Sequence, residues 1–421
     1  MSDPDPHPAR DLDLIVFGAS GYTGRLVAEA VARRAPAGLR WAIAGRDPQR
    51  LGAVRRDLGL DADTLDVDTV DVNTVDVNTV VADAGDPASL AAMARRTRAV
   101  VTTVGPYARY GTPLVAACVE AGTDCADLTG EPLWMRDTIE AFHGSARATG
   151  ARIVHACGFD SVPSDLGMFA LQTAAQERHG RPCRDVVHAY GPIAGGVSGG
   201  TIASGLDLME VTVGDPAARR ALADPDLLAP GGAASRDPVG PLWPTRHPGL
   251  DGWTTPFVMA AANGKVVRRT RHLLGEPWGE DVRYLERLRA GTWARSAAMG
   301  VGTAFATAAM ATRPVRRLAR RFLPKPGDGP SEAVRGRGFF RTTLVGRVDD
   351  ATPPVIAHVE ADFDPGYGAT SRMLSEVGLG LALQELDGPG GVLTPAVAGG
   401  SRLVERLGEV GIRVRVEPAR T

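Results

Sequence analysis

Lysine is almost missing from these 421 residues: Lys265 and Lys325 are the only two, and the rest of the basic complement is arginine. Few amines are therefore available for chemistry. Cysteine is scarce too, and Cys118, Cys125, Cys157 and Cys183 form no Cys-x-x-Cys pair and no cluster with histidine, which argues against a disulfide framework and a zinc site. They read as reduced thiols. There is no His-Glu-x-x-His, the one Gly-x-Ser-x-Gly string (Gly196 to Gly200) lies in a glycine-rich segment past the βα alternation and is not read as a nucleophile elbow, and the eight histidines are dispersed, so hydrolase readings fall away and no metal is expected. Charge of one sign is lacking as well. The formal net charge of −2 and the absence of a basic, aromatic-interleaved motif exclude nucleic acid as the expected partner. The polar start Met1 to Pro8 leads straight into a strand-like run and not a signal sequence, which predicts a soluble, cytoplasmic protein.

What is present is a glycine turn. Gly18, Gly21 and Gly24 follow the apolar run Leu12 to Phe17 and precede a segment of helical spacing. In that order the first glycine permits a tight turn, the second lets backbone approach a pyrophosphate, and the third lets helix pack on strand. The cofactor-binding candidates here are Gly18, Ala19, Ser20, Gly21, Tyr22, Thr23 and Gly24.

Short β-rich runs alternate with helical patterns through the first part of the chain, predicting an α/β fold with a Rossmann-type, doubly wound parallel sheet. Strands are expected at 12–17, 40–44, 80–84, 99–104, 124–128 and 152–156, with helices beginning near Gly24, Pro48, Pro87, Thr112, Glu131 and Pro163. Residues 65–80 form a tandem five-residue repeat, read as a surface insertion. The alternation lapses after about Pro163, so the expected division is an NADP-binding domain over 1–162, an α+β substrate and dimerisation domain with a mixed sheet over 163–390, and a C-terminal helix over 391–421 packing back on the first domain. Strands are expected at 339–348 and 355–363. Ser296 to Thr312 is uncharged, and arginines follow it. It is either a helix resting on a membrane or acyl-chain surface with arginines at the headgroups, or a buried helix followed by a solvated basic one, and we read it as the second.

The second predicted strand ends at Gly45-Arg46, where an NAD site would carry an acid. A guanidinium there suits a 2'-phosphate, so NADP(H) is the expected cofactor, although Asp47 follows at once. Asp83 stands where a carboxylate could accept from the adenine amino group. Thr103, Val104, Gly105 and Pro106 end the fourth strand and are expected to line the nicotinamide end. Tyr107 beside them is a candidate hydrogen-bond or proton donor. Asp127 to Glu131 and Cys157 to Asp165 follow the next two strands at the same edge, and from them Asp160 and Ser161 join Tyr107 as catalytic candidates, although Ser161 before Pro163 also suits a helix N-terminus. No tyrosine is followed four residues later by lysine, so the pair of the short-chain dehydrogenases is missing.

The glycine turn, Val101-Thr-Thr-Val-Gly-Pro-Tyr107, Cys157-Gly-Phe-Asp-Ser-Val-Pro-Ser-Asp-Leu-Gly167 and Ser198-Gly-Gly-Thr-Ile-Ala-Ser204 resemble the saccharopine dehydrogenase-like oxidoreductases, and most closely their trans-acting enoyl reductase branch. Pro326 to Pro330 and Thr394-Pro-Ala396 extend the resemblance over nearly the whole chain; the repeat departs from it. The resemblance implies NADPH-dependent reduction of an α,β-unsaturated acyl thioester, presented by the acyl carrier protein of a polyketide synthase, in the assembly of long-chain lipids or glycolipids. Contacts with a second copy of the chain and, peripherally, with a membrane are also expected. Two alternatives stay open: an amino acid and keto acid dehydrogenase of saccharopine type, and a non-catalytic dinucleotide-binding protein associated with lipid surfaces or a synthase.

Overall fold

The computed structural model describes residues 10–60, 78–195, 199–232, 234–322, 329 and 335–418, without the side chains of 199–203 and 320–322. Most of the five-residue repeat, 65–77, lies outside the described residues. Its last residues enter β3 (Asn78–Val81).

The first sheet is built as the alternation predicts. β1 (Leu12–Phe17), α1 (Tyr22–Arg34), β2 (Trp41–Gly45), α2 (Pro48–Asp57), β3, α3 (Pro87–Arg95), β4 (Thr97–Thr102), α4 (Tyr107–Ala121), β5 (Asp124–Asp127), α5 (Pro132–Thr149) and β6 (Arg152–Val154) follow one another. Helices start where chemistry marks them: Asp47 and Asp86 accept backbone N–H bonds as caps just before Pro48 and Pro87. α4 begins five residues before the expected Thr112 and keeps Pro113 inside it. The reason is distant in sequence, because the Glu131 carboxylate accepts from the N–H groups of Tyr107 and Ala108 at 3.0 and 2.8 Å and so opens the helix earlier.

The sheet has seven parallel strands in the order β12-β6-β5-β4-β1-β2-β3, and its order reverses between β1 and β4. β12 (Gly391–Leu393) comes from the far end of the chain and pairs with β6. Leu14, Val16, Ile43 and Val101 fill one face beneath α1 and α12 (Thr370–Ala382), while Ile15, Phe17, Ala42 and Val100 pack under the helices of the other.

α6 (Val162–His179) leads out to the second sheet. Its strands are β7 (Asp185–Ala194), β8 (Trp253–Pro256), β9 (Arg283–Gly291), β10 (Phe339–Arg347), β11 (Val355–Ala361) and β13 (Arg413–Val416), in the order β13-β11-β10-β7-β9-β8. Only β7 and β9 run parallel among these pairs, so this is a mixed sheet. The same stretch of chain forms α7 (Gly199–Gly214), α8 (Pro216–Ala223), α9 (Ala260–Leu273), α10 (Trp293–Met310) and α11 (Arg313–Phe322), of which α9 and α10 pack on the sheet and α8 on α5.

Two sequence expectations need correction here. The return to the first domain starts at Thr370, not 391, and its last portion holds β12 before α13 (Pro395–Glu409), because Gly391 to Leu393 has β6 as a free edge to pair with. α10 is not a buried helix: of its residues Ser296 alone is buried.

Candidate functional site

The turn between β1 and α1 is shaped by atoms that leave no room for side chains. Gly18 holds φ +90°, and a Cβ there would stand 2.8 Å from both Thr103 Oγ1 and Val104 Cγ2. At Gly24 a Cβ would lie 2.1 Å from the Gly18 carbonyl oxygen, so α1 meets the turn at backbone distance. Gly18 N–H donates to Ala44 O at 2.8 Å and Gly21 N–H to Gly18 O at 3.0 Å. No side chain caps α1, whose N-cap is Gly21. Its first-turn N–H groups thus face the crevice where the sheet order reverses, an arrangement that receives phosphate. Ala19 is buried and Ser20 exposed on this turn. Thr23 follows in the first turn of α1. Tyr22 contributes backbone only, since its ring packs edge-on against Tyr367 at 4.9 Å, under the Arg335 guanidinium and against Gly329.

Arg46 is exposed one residue past β2. Its neighbour Asp47 is committed to capping α2 through Gln49 N–H and Arg50 N–H at 3.0 and 3.2 Å. Of this pair, Arg46 is the group that stays exposed at the strand end. Asp83 is exposed two residues beyond β3, and one of its oxygens accepts from Gly85 N–H at 2.8 Å. Thr103, Val104, Gly105 and Pro106 run from the carboxyl end of β4 across the same crevice, with Gly105–Pro106 in the cis form.

Tyr107 is placed differently from expectation. It is buried, its ring stacks on Trp134 at 5.4 Å, and its hydroxyl donates to Thr102 O and accepts from Leu128 N–H, each at 3.1 Å. Burial, reinforced by Asp127, pushes the phenol well above its usual range. With its proton committed to a backbone oxygen, it braces β4 against the loop after β5.

Ser161 sits buried at the start of α6 and donates to Asn263 Oδ1 at 3.2 Å. Asn263 Nδ2 in turn donates to Glu286 Oε2 at 3.0 Å. Ser164 and Tyr284 donate to Glu286 Oε1 at 2.5 and 2.6 Å. Because the single Ser164 proton is spent there, Tyr190 must be the donor in its 2.6 Å contact with Ser164. By the same count His188 Nδ1 donates to Tyr284 at 3.0 Å. All of these side chains are buried. Asp160 is half-buried at the rim, close enough to Tyr190 to help raise its pKa. The network thus fixes the α6 N-terminus, and with it the Asp160 loop, on the second sheet.

This network was missed in sequence, though a signal existed: His188 and Tyr190 on β7, and Tyr284 and Glu286 on β9, are polar groups at two-residue spacing on the covered face of their strands. Glu131 is a second missed anchor. Besides opening α4, it accepts from Ser204 of α7 at 2.8 Å, while Arg109 of α4 pairs with Asp207 of α7 at 3.1 Å. These bonds hold α7 over the β4 and β5 ends. The four cysteines are buried and unpaired, and burial keeps the Cys157 thiol at the same edge protonated. No group of metal-binding side chains occurs among the described residues. A cavity of about 390 Å³ runs along the later turns of α1, between Glu29, Arg33, Arg335 and Arg372, away from the strand ends that carry this chemistry.

Residues 14–154 match the family model of the saccharopine dehydrogenase NADP binding domain. The chain is 45% identical to a Mycobacterium tuberculosis (H37Rv) protein provisionally named a trans-acting enoyl reductase, over 96% of this chain and 97% of that one. It is 40% identical, with the same coverage, to the trans-acting enoyl reductase of Mycobacterium ulcerans. Among solved structures, saccharopine dehydrogenase (L-Glu forming) from Saccharomyces cerevisiae aligns with a TM-score of 0.50 at 12% identity, covering 96% of this chain and 99% of that chain, a likeness of fold.

Proposed function

The chain belongs to the family of the trans-acting enoyl reductases, with a saccharopine dehydrogenase NADP-binding domain at its start, and from that premise we propose that it reduces the carbon–carbon double bond of an α,β-unsaturated acyl thioester with NADPH. The observation that carries the reading is the cradle at Gly18 and Gly24, where any Cβ would meet atoms within 2.8 Å. The residues present fit the cofactor: first-turn N–H groups of α1 would hold its diphosphate, Arg46 would pair with the 2'-phosphate, and Thr103 to Pro106 would receive the nicotinamide end. When bound, NADPH supplies the hydride for the β-carbon.

The protein's part is to orient the acyl group and manage one proton. Asp160 stays in this reading as the group that delivers a proton to the α-carbon. Ser161, whose own proton is held by Asn263, is a positioning residue that fixes the Asp160 loop. Tyr107 drops out of proton transfer because its hydroxyl is bonded on both sides. The name shared by the relatives supports a substrate carried by another protein, here the acyl carrier protein of a polyketide synthase in long-chain lipid assembly. A homodimer, and work in the cytoplasm with peripheral membrane contact, complete the proposal.

The test is NADPH oxidation, followed by absorbance, with a panel of trans-2-enoyl thioesters and with amino acid plus keto acid pairs. Turnover of the thioesters, lost in Asp160→Asn with NADPH affinity retained, is the expected result. Turnover of the amino acid pairs alone would overturn it.

A further inference from the structure

α10 wears its apolar face outward. Toward β8 and β9, on which it packs, it turns Ser296, Gly300 and Thr303, and a Cβ on Gly300 would stand 2.7 Å from Thr255 Oγ1. On the opposite side Ala294, Ala298, Val301, Phe305 and Ala308 form one stripe, and every one is exposed. A helix on a water-facing surface has the reverse arrangement. Val301 is 70% and Phe305 76% exposed, which places them among the most exposed large apolar side chains of the described residues.

The patch continues beyond the helix. Arg287 holds the neighbouring segment by donating to Pro241 O and Trp243 O at 2.6 and 3.2 Å, and Leu242 beside Gly300 is 80% and Trp243 70% exposed. Along α10 and α11 the charge has one sign: no acidic residue occurs between Glu286 and Asp328. Arg295 is exposed near one end of α10, and Arg313 and Arg317 just past the other. Arg316 instead folds back to donate to Met310 O and Ala311 O, fixing the angle between the two helices.

We propose that α10, with Leu242 and Trp243, seats on the surface of an anionic lipid bilayer, the helix lying in the plane of the headgroups. Arginines at both ends meet lipid phosphates, and the indole of Trp243 suits the boundary between headgroup and acyl chain. No described helix is long and apolar enough to cross the membrane, so the contact is a resting one. This inference deepens the peripheral membrane contact of the proposed function and can fail separately from the reductase reading, since vesicle binding does not require turnover.

The experiment is flotation of the full chain with phosphatidylcholine vesicles, with and without phosphatidylglycerol, alongside NADPH titration and light scattering for oligomeric state. The wild type should float with the anionic vesicles. Val301→Glu/Phe305→Glu should lower vesicle partition by about tenfold or more, while Arg313→Ala/Arg317→Ala should remove the preference for anionic lipid, both with NADPH affinity unchanged. Wild-type protein that ignores both vesicle types overturns the proposal. So does a Val301→Glu/Phe305→Glu variant that floats like the wild type, or one whose only change is loss of a dimer, which would make a second copy the occupant.

Discussion

Replacing Gly24 by alanine puts a methyl carbon 2.1 Å from Gly18 O, 2.6 Å from Gly18 C and 2.8 Å from Thr103 Oγ1. Two of these are backbone atoms of the turn itself and cannot swing away, so α1 has to move off the turn before the contact is tolerable. That shift spoils the convergence of first-turn N–H groups on one anion. A hydrogen bond to a charged group contributes about 1.5–3 kcal/mol, so losing one such bond weakens NADPH by about ten- to a hundredfold. Gly21 separates fold from site: a Cβ there would be 3.3 Å from Gly18 O, a contact that small adjustments relieve, so Gly21→Ala should leave thermal stability nearly unchanged and lose NADPH affinity only through the methyl it sets toward the pyrophosphate. Fluorescence titration of both variants with NADPH, each checked for cooperative thermal unfolding, measures the difference. Gly24→Ala protein that folds and binds NADPH like the wild type would refute the assignment of this turn.

Arg46→Ala should weaken NADPH by about tenfold or more and leave NADH within about twofold in the same titration, and equal losses would contradict the 2'-phosphate pairing. Tyr107→Phe removes one hydrogen-bond partner from each of Thr102 O and Leu128 N–H and should destabilise the fold by about 1–3 kcal/mol in urea unfolding, with turnover changed less than about twofold. A large loss of kcat at unchanged stability would restore it as a donor. Asp165, fully buried between Thr270 and the Ala396 N–H, has its carboxyl pushed up from 3.8 to about 7 by burial. The folded state therefore binds this proton more tightly than the unfolded state does. The group's contribution is complete below about pH 4 and is lost as pH rises toward 7, a change on the order of a few kcal/mol. Asp165→Asn should flatten stability against pH across that window, and parallel wild-type and variant profiles would refute the shift.

The dinucleotide half of this molecule was legible because its signals are local. Glycines, capping aspartates and proline starts act within a few residues of where they stand, and β1, α2 and α3 lie where those residues put them. What escaped was long-range. The early start of α4 depends on Glu131, more than twenty residues away, and the fate of Tyr107 depends on Leu128. Ser161 was legible as a helix start, yet its partner Asn263 comes from a different domain. α10 shows the remaining kind of failure: its composition fits a buried helix, and only the placement of β8 and β9 reveals which side has a neighbour.

The pairing of β12 with β6 also has a meaning in time. Synthesis runs from the N-terminus, yet the first sheet waits for residues 391–393, and the helices covering one of its faces include 370–382. While the ribosome is still making the intervening two hundred or so residues, β6 has an open edge and Leu14, Val16 and Val101 have no complete roof. A chain stopped after residue 162 thus carries an unfinished sheet, open at β6 and short of one of its covering helices, until residues 370–393 have emerged.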